Sequence, residues 1–491
     1  MMSMPIDFPL SIPGPPASRI WGPFGNAFRF GKDTIGVASE LFKQYGPLVA
    51  LSLGGGTRLY SPHKNCLGTV LVYGPEATQE VCSQHNIYHK MPLSGRLFPL
   101  GKVSRRRETL RNFATGLFAV NGQEHRQHRR LMLPAFHKQR VPAYHDDMAQ
   151  IALSVFQRWQ EGDTQDISLA MQEVTKRIAT KTLFGEDIGP DGRGTGSLIQ
   201  DSLRRLSHPL TRLLPFDIPG LPFHRFLNEI AQLQAHIQEI IARKRASGTD
   251  GNDVLSMLLK AHEAEGQQPL SEFELLGHVG VLFAAGHETS ANALTWTLFL
   301  LTQHPQIYAD LCDELAPLSG TIPTVDQLAH CQLLENVIKE SLRVLPPVPW
   351  NARVTSQNTE LLGHPLPAGT EVFLSIYQTH HSADIYAQPE QFNPRRWEQI
   401  SPSPYEYQPF SAGPRLCLGA TFAMLEIKLV LILLLNRFRL NFASAQPVNR
   451  VGNIVLAPQH SITMRLTSPE SPFPPGGGVR GTVRQMVELP A

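Results

Sequence analysis

Two short segments hold side chains whose types and spacing could do chemistry. In Phe410-Ser-Ala-Gly-Pro-Arg-Leu-Cys417-Leu-Gly419 a cysteine stands where an apolar run begins; in Ala285-Gly-His-Glu-Thr-Ser290 an acid and an alcohol interrupt one. A cysteine at the head of a helix gains from backbone N–H groups and the positive helix end, which favour a thiolate. A thiolate is a strong ligand for iron. Gly413 and Gly419 permit a tight turn and a close approach of backbone to a flat ligand, and Arg415 has the charge to meet an anionic group on it. Taken alone, such a cysteine could equally be a buried structural one.

The second segment poses a different problem. Glu288 and Thr289 between apolar runs cost free energy if buried without partners, and Gly286 weakens a helix by about 1 kcal/mol relative to alanine. Local conflicts of this kind are where function is expected. A threonine bonding back to its own helix can open a bulge, and bulges favour functional sites. The plainer alternative has Thr289 satisfying a backbone carbonyl and Glu288 facing solvent. His287 reads as a packed or surface residue, not a ligand.

These residues need elements to hold them. Ser271 and Glu274 form a capping box that starts a long helix, and His304-Pro305 ends it near Gln303. At 1.5 Å per residue it runs roughly 50 Å, enough to cross a whole domain. A last apolar helix, Leu418 to Phe438, begins immediately after Cys417. Periodic apolar positions predict helices over Lys32–Tyr45, Met148–Trp159, Met171–Leu183, Phe226–Arg245 and Val254–His262. Leu48–Leu53, Thr69–Tyr73, Glu371–Ile376 and Ile454–Ala457 read as short strands. Prolines make residues 1–20 a stiff lead-in. The Pro/Gly-rich residues 467–491 read as a disordered tail, which leaves 21–466 as one domain.

Bulk properties exclude more than they assign. With 42% hydrophobic and 18% charged residues, the 491-residue chain has an ordinary globular composition. A net charge of +2 points to no nucleic-acid partner. The five cysteines are scattered without a close pair, so they indicate neither a disulfide framework nor a zinc site, and a reduced cytoplasmic compartment fits. No secretory signal is visible. The greasy run Leu275–Leu301 is broken by polar residues and Leu429–Leu435 is far shorter than the roughly 20 residues a bilayer requires, so no transmembrane anchor is expected.

The pattern Phe410-x-x-Gly413-x-x-x-Cys417-x-Gly419 resembles the haem-ligand signature of the cytochrome P450 family; a chance match in this composition is on the order of one in a thousand. The resemblance extends to Ala285-Gly286-x-Glu288-Thr289. It implies that Cys417 ligates the iron of haem b (iron protoporphyrin IX), that Glu288 and Thr289 deliver protons to bound dioxygen, and that Gly286 leaves room for it. Glu340-x-x-Arg343, with Arg396 in Phe392-Asn-Pro-Arg-Arg-Trp397, looks like the family's buried charge network; Arg395 is an alternative third member. His125 and Arg129, one turn apart on a helix face, together with Arg353 and Arg415, resemble the residues that bind haem propionates. The basic cluster Lys102, Arg105, Arg106, Arg107 and Arg111 has no counterpart and reads as an exposed face.

The implied fold is mainly α with small β-sheets, a triangular prism whose long central helix lies over the haem. The implied activity is haem-thiolate monooxygenation of a lipophilic substrate, by hydroxylation or epoxidation. Electrons would come from NAD(P)H through a separate ferredoxin and ferredoxin reductase or a flavoprotein reductase. Phe283, Ala285, Val348 and the strand Ile454–Ala457 would line the substrate pocket, with the loops Met91–Phe113 and Ser207–Phe223. A monomer is expected, cytoplasmic with possible peripheral membrane contact. Two other readings are a peroxide-driven or isomerising haem-thiolate enzyme and a non-catalytic haem-binding sensor. Against the first stands the intact Glu288-Thr289 pair; against the second, the interrupted long helix.

Overall fold

The computed structural model describes residues 10–61, 63, 65–91, 107, 116–186, 198, 205, 211, 216–247, 251–264, 270–443, 447–452 and 455–490. Its first elements are α1 (Pro23–Lys32), α2 (Thr34–Tyr45), β1 (Leu48–Ala50), β2 (Thr69–Val72), α3 (Pro75–Ser83) and β3 (Tyr88–His89). There follow α4 (Gly122–Met132), α5 (His145–Phe156), β4 (Thr164–Asp166), α6 (Ile167–Phe184), α7 (Pro222–Ser247), α8 (Val254–Ala264) and α9 (Glu272–Gln303). The last third holds α10 (Pro305–Leu315), α11 (Val325–His330), α12 (Gln332–Val344), β5 (Trp350–Thr355), β6 (Thr359–Leu361), β7 (His364–Leu366), β8 (Glu371–Ser375) and α13 (Ile376–His380). It closes with α14 (Ala420–Leu435), β9 (Arg439–Phe442), β10 (Arg450–Gly452), β11 (Leu456–Pro458) and β12 (Thr463–Thr467).

Helix starts follow local chemistry. Asp33 and Asp166 each accept a backbone N–H three residues on, at 3.0 Å, and so cap α2 and α6. Proline opens α1, α3 and α10, where a missing N–H has no consequence. The capping box of α9 is present as expected, with Ser271 and Glu274 bonded reciprocally. α9 is 32 residues long and continuous; no bulge is recorded at Thr289. It packs on α6, α12 and α14, and nearly every residue from Ala291 to Gln303 is buried.

The main sheet has the order β1-β2-β8-β5-β3. β2 and β8 run parallel while the other neighbours are antiparallel. A second sheet has the order β4-β12-β9, and two hairpins join β6 to β7 and β10 to β11. The chain is thus helical with small sheets. Among the described residues no helix is long and apolar enough to cross a membrane.

Both ends are more involved than their composition suggests. The lead-in is extended, but Leu10 and Ile12 are buried and Pro13 and Pro15 accept N–H bonds from Ala50 and Leu53. The expectation of a disordered tail is corrected for residues 468–490. Val479, Val483, Met486 and Val487 are buried in the main core, and the Glu488 N–H reaches the Glu390 carbonyl at 2.8 Å. The apolar positions of that stretch outweigh its glycines and prolines, because each finds a ready surface.

Candidate functional site

Cys417 sits between a single 3₁₀ turn, Gly413–Arg415, and the start of α14. Its N–H donates to the Phe410 carbonyl at 2.9 Å, which closes the loop. Gly413 has φ +66°, and a Cβ there would lie 2.6 Å from the Cys82 carbonyl oxygen, so glycine is required. Ser411 also has positive φ, at 65°; its hydroxyl accepts from Asn351 Nδ2 at 2.9 Å, which pins the loop to β5. Phe410 packs against the main core.

The Cys417 residue is solvent-accessible, yet burial pushes its thiol pKa up, opposed by the Gly419 N–H and the Arg129 charge. Both statements hold for a side chain that lines an internal cavity. The expected preference for thiolate from the helix head is therefore outweighed here by desolvation; a metal ion in the proton's place is what deprotonates such a sulfur. Glu288 shows the same pair of properties, exposed by area but with its carboxyl pKa raised by burial.

On α9, Thr289 Oγ1 donates to the Ala285 carbonyl at 2.7 Å. Ala285, Gly286 and Thr289 are partly accessible, and a Cβ added to Gly286 would meet no atom within 4 Å. The same is true of Gly419 beside Cys417. His287 lies on the other side, buried, with Nδ1 bonded to the Phe283 carbonyl at 2.8 Å and its ring 4.7 Å from the Phe283 ring. Phe283 has no accessible surface, so its assignment as a pocket wall is corrected: it packs in the main core. Val348 is partly accessible. The pocket loop Met91–Phe113 lies almost wholly outside the described residues, as do Ile454 and the cluster Lys102, Arg105, Arg106 and Arg111. Of Ser207–Phe223, residues 211 and 216–223 are described, with Thr211 and Phe223 buried and Phe216 and Ile218 exposed.

Four basic residues predicted from sequence converge. His125 and Arg129 come from α4, Arg353 from β5 and Arg415 from the cysteine loop, and Lys90, which sequence reasoning missed, joins them. The Arg415 guanidinium donates to the carbonyls of Leu117 and Val120 and to Asn121 Oδ1, at 3.2, 2.7 and 2.6 Å. Asn121 also accepts from the Lys90 N–H at 2.9 Å, so one amide ties the two cations together. Arg353, buried, donates to Asn351 and to the Ala352 carbonyl.

Their charges are poorly compensated. Burial, then Arg353 and Arg415, depress the Lys90 ammonium to about 7. Burial, then Arg415 and Arg129, depress His125 to about 3. Burial, then Arg353 and Arg129, bring Arg415 down to about 9. Among the described residues, the charged groups acting most strongly on this set are its own members, His85, Tyr60, Cys82 and Cys417, with no carboxylate. His125 Nδ1 and Arg415 Nε are buried without a hydrogen-bond partner. Such a cluster fits a polyanionic group, and the two propionates of haem match it; Gly286 and Gly419 each border open space.

The Glu340 network is of a different kind. Arg343 donates from Nε and Nη2 to both Glu340 oxygens at 2.9 and 2.8 Å. Arg396 Nε reaches Oε1 at 2.8 Å, and Trp397 Nε1 reaches Oε2 at 3.0 Å. The remaining guanidinium donors go to carbonyls of residues 380–391. Arg396 is thus the third member, while Arg395 pairs with Asp310 at the surface. The network abuts the segment leading to Cys417, since Tyr407 stacks edge-on against Trp397 and the Gln408 N–H donates to His380 Nε2 at 3.0 Å.

Comparison with known proteins gives the same picture. The family model described as Cytochrome P450 matches residues 13–464. A cyclooctat-9-en-7-ol 5-monooxygenase of Streptomyces melanosporofaciens is 32% identical over 380 residues, covering 75% of this chain and 81% of that protein. A pentalenene oxygenase of Streptomyces avermitilis is 27% identical, with 90% and 95% covered. In fold, the chain is similar to the cytochrome P450DA heme domain, with a TM-score of 0.79 at 23% identity over 95% of this chain and 99% of that one. It is also similar to a retinoic acid-bound cyanobacterial CYP120A1, at 0.77 and 24% over 93% and 100%.

Proposed function

The chain belongs to the cytochrome P450 family and is a haem-thiolate monooxygenase, and from that premise we propose that Cys417 is the iron ligand and the Lys90–His125–Arg129–Arg353–Arg415 cluster receives the haem propionates. The observation that carries this reading is the set of five converging basic groups with no carboxylate among the described charges acting most strongly on them, one of which, Arg129, also acts on Cys417. Bound there, the haem supplies activation of dioxygen and transfer of one oxygen atom to the substrate.

The protein's own residues then position and move protons. Burial raises the pKa of the Glu288 carboxyl, which favours its holding a proton that it can pass on. Thr289 Oγ1 is tied to the Ala285 carbonyl through its own proton, which leaves its lone pairs free to accept from a donor in the cavity. Gly286 leaves space beside it, and Ala285 and Val348 stand where substrate would be oriented.

The family requires a redox partner and a lipophilic substrate. We infer that NAD(P)H reaches it through a ferredoxin with its reductase or a flavoprotein reductase, and that the substrate is carbon-rich with few polar groups. The relatives' names, pentalenene and cyclooctat-9-en-7-ol, support an alkene or alkenol skeleton. The protein works as a cytoplasmic monomer in this reading. Ile20, Trp21, Phe24 and Phe28, each more than 70% exposed at the start of the chain, give it an apolar foot for peripheral contact with a membrane.

The deciding experiment is the carbon-monoxide difference spectrum of the reduced protein, before and after Cys417→Ser. The parent is expected to give the thiolate-ligated signature and the variant to lose it. An unchanged spectrum in the variant refutes the assignment. A library of apolar ligands, watched for a spin-state shift, then sorts substrates.

A further inference from the structure

One cluster outside the haem site faces no task in the chemistry above. Glu124 and His128 are four residues apart on α4, and Glu274 and His278 are four apart on α9, so each pair shares one helix face. The two faces meet. His128 Nδ1 lies 3.2 Å from His278 Nε2, with the rings edge-on at 4.8 Å. His128 Nε2 lies 3.4 Å from Glu274 Oε1. One ligand atom from each of Glu124, His128 and Glu274 falls within 4.8 Å of the others.

We propose that Glu124, His128 and Glu274 bind a single divalent cation of the zinc class, with His278 as the residue that orients His128. Three of its ligands are an imidazole and two carboxylates, a donor set that suits zinc better than magnesium or calcium. Tetrahedral bonds of about 2.0 Å place neighbouring ligand atoms about 3.3 Å apart, close to the His128–Glu274 separation. Glu124 is exposed and closes the remaining distance by turning its side chain.

Two of the three ligands are already aimed. Glu274 Oε2 accepts from the Ser271 N–H and hydroxyl, both at 2.7 Å, which leaves Oε1 toward His128. With a cation on Nε2, His128 carries its proton on Nδ1 and donates to His278 Nε2. A metal-bound imidazole regularly has such a partner on its other nitrogen. His278 has no accessible surface and its Nδ1 has no partner, so no other bond competes for its orientation. A fourth position remains for water.

Such a cation would clip the start of α9 to α4, the helix that supplies His125 and Arg129. The test is calorimetric titration of the metal-stripped, haem-loaded protein with zinc chloride, alongside thermal unfolding with and without zinc. The parent is expected to bind one zinc ion per chain with micromolar affinity and to melt several degrees higher. His128→Asn should lose the site and the melting shift. Glu124→Gln, at an exposed position where a substitution has little effect on folding, should weaken binding by roughly tenfold or more and decides the matter alone if His128→Asn fails to take up haem. Absence of zinc binding in the parent, or parent-like binding in Glu124→Gln, overturns the proposal.

Discussion

Two buried groups of charges among the described residues obey opposite rules. Around Glu340, two guanidiniums and an indole converge on one carboxylate, and every nitrogen of both guanidiniums has an acceptor. Around Arg353 and Arg415, cations meet cations, two nitrogens are left without partners, and burial together with mutual repulsion drags their proton affinities down. The first group is complete as protein. The second carries an excess of positive charge that a polyanion would balance. A closed network is read as architecture and an open one as a receptor, although the side-chain types are the same.

The largest effect should come from breaking the closed group. Glu340→Ala leaves two guanidiniums buried without a counter-charge and should destabilise the protein by about 3–5 kcal/mol, seen in chemical unfolding with and without haem alike. If apoprotein stability were unaffected, the contrast between the groups would fail.

A third buried charge shows another way out. Glu426 on α14 is fully buried, and neither oxygen has a hydrogen-bond partner of ordinary geometry, though the nearby Ser290 hydroxyl weakly favours the charged form. Burial pushes its carboxyl from 4.5 up to about 8, so it stays neutral. Between those values the folded state keeps a proton that the unfolded state has lost, and stability falls as pH rises. Unfolding followed from pH 5 to 9 should show a loss of a few kcal/mol, largely absent in Glu426→Gln. A parent flat over that range would contradict it.

The open group should respond with opposite signs in its two states. Arg353→Met removes a cation from a repulsive set, so the apoprotein should be unharmed or more stable. The haem should nevertheless leave for an acceptor protein about tenfold faster, equivalent to about 1.4 kcal/mol. Apoprotein destabilisation as severe as that of Glu340→Ala would erase the distinction. Smallest of all, Arg395→Ala should cost under about 1 kcal/mol, because its pair with Asp310 is exposed. Its neighbour Arg396, replaced in the same way, should cost several times more.

The sequence made some of this legible and concealed the rest for physical reasons. Fixed local spacing exposed the cysteine loop, the long helix with its capping box, and the Glu340–Arg343 pair, since each is written within a few residues. Arg396 against Arg395 was open, because adjacent residues in a 3₁₀ turn differ only in which one the fold turns inward. Lys90 carried no signal: it lies in irregular chain, and its place comes from contacts distant in sequence, with the Asn121 amide and the Phe118 ring. Phe283 could have been judged better. It precedes Thr289 by six residues, which sets it on another helix face, whereas Ala285, four before, shares that face. The tail misled because glycine and proline content describes backbone preference and not the apolar side chains between them.

That tail has a consequence for how the molecule comes into being. Val483, Met486 and Val487 lie against a core laid down by far earlier segments, and the His381 Nε2–Met486 carbonyl contact at 2.9 Å joins residues more than a hundred positions apart. Contacts of such sequence separation close slowly, because loop entropy is lost before they form; until residues 479–487 dock, the apolar surface they cover is open to other chains.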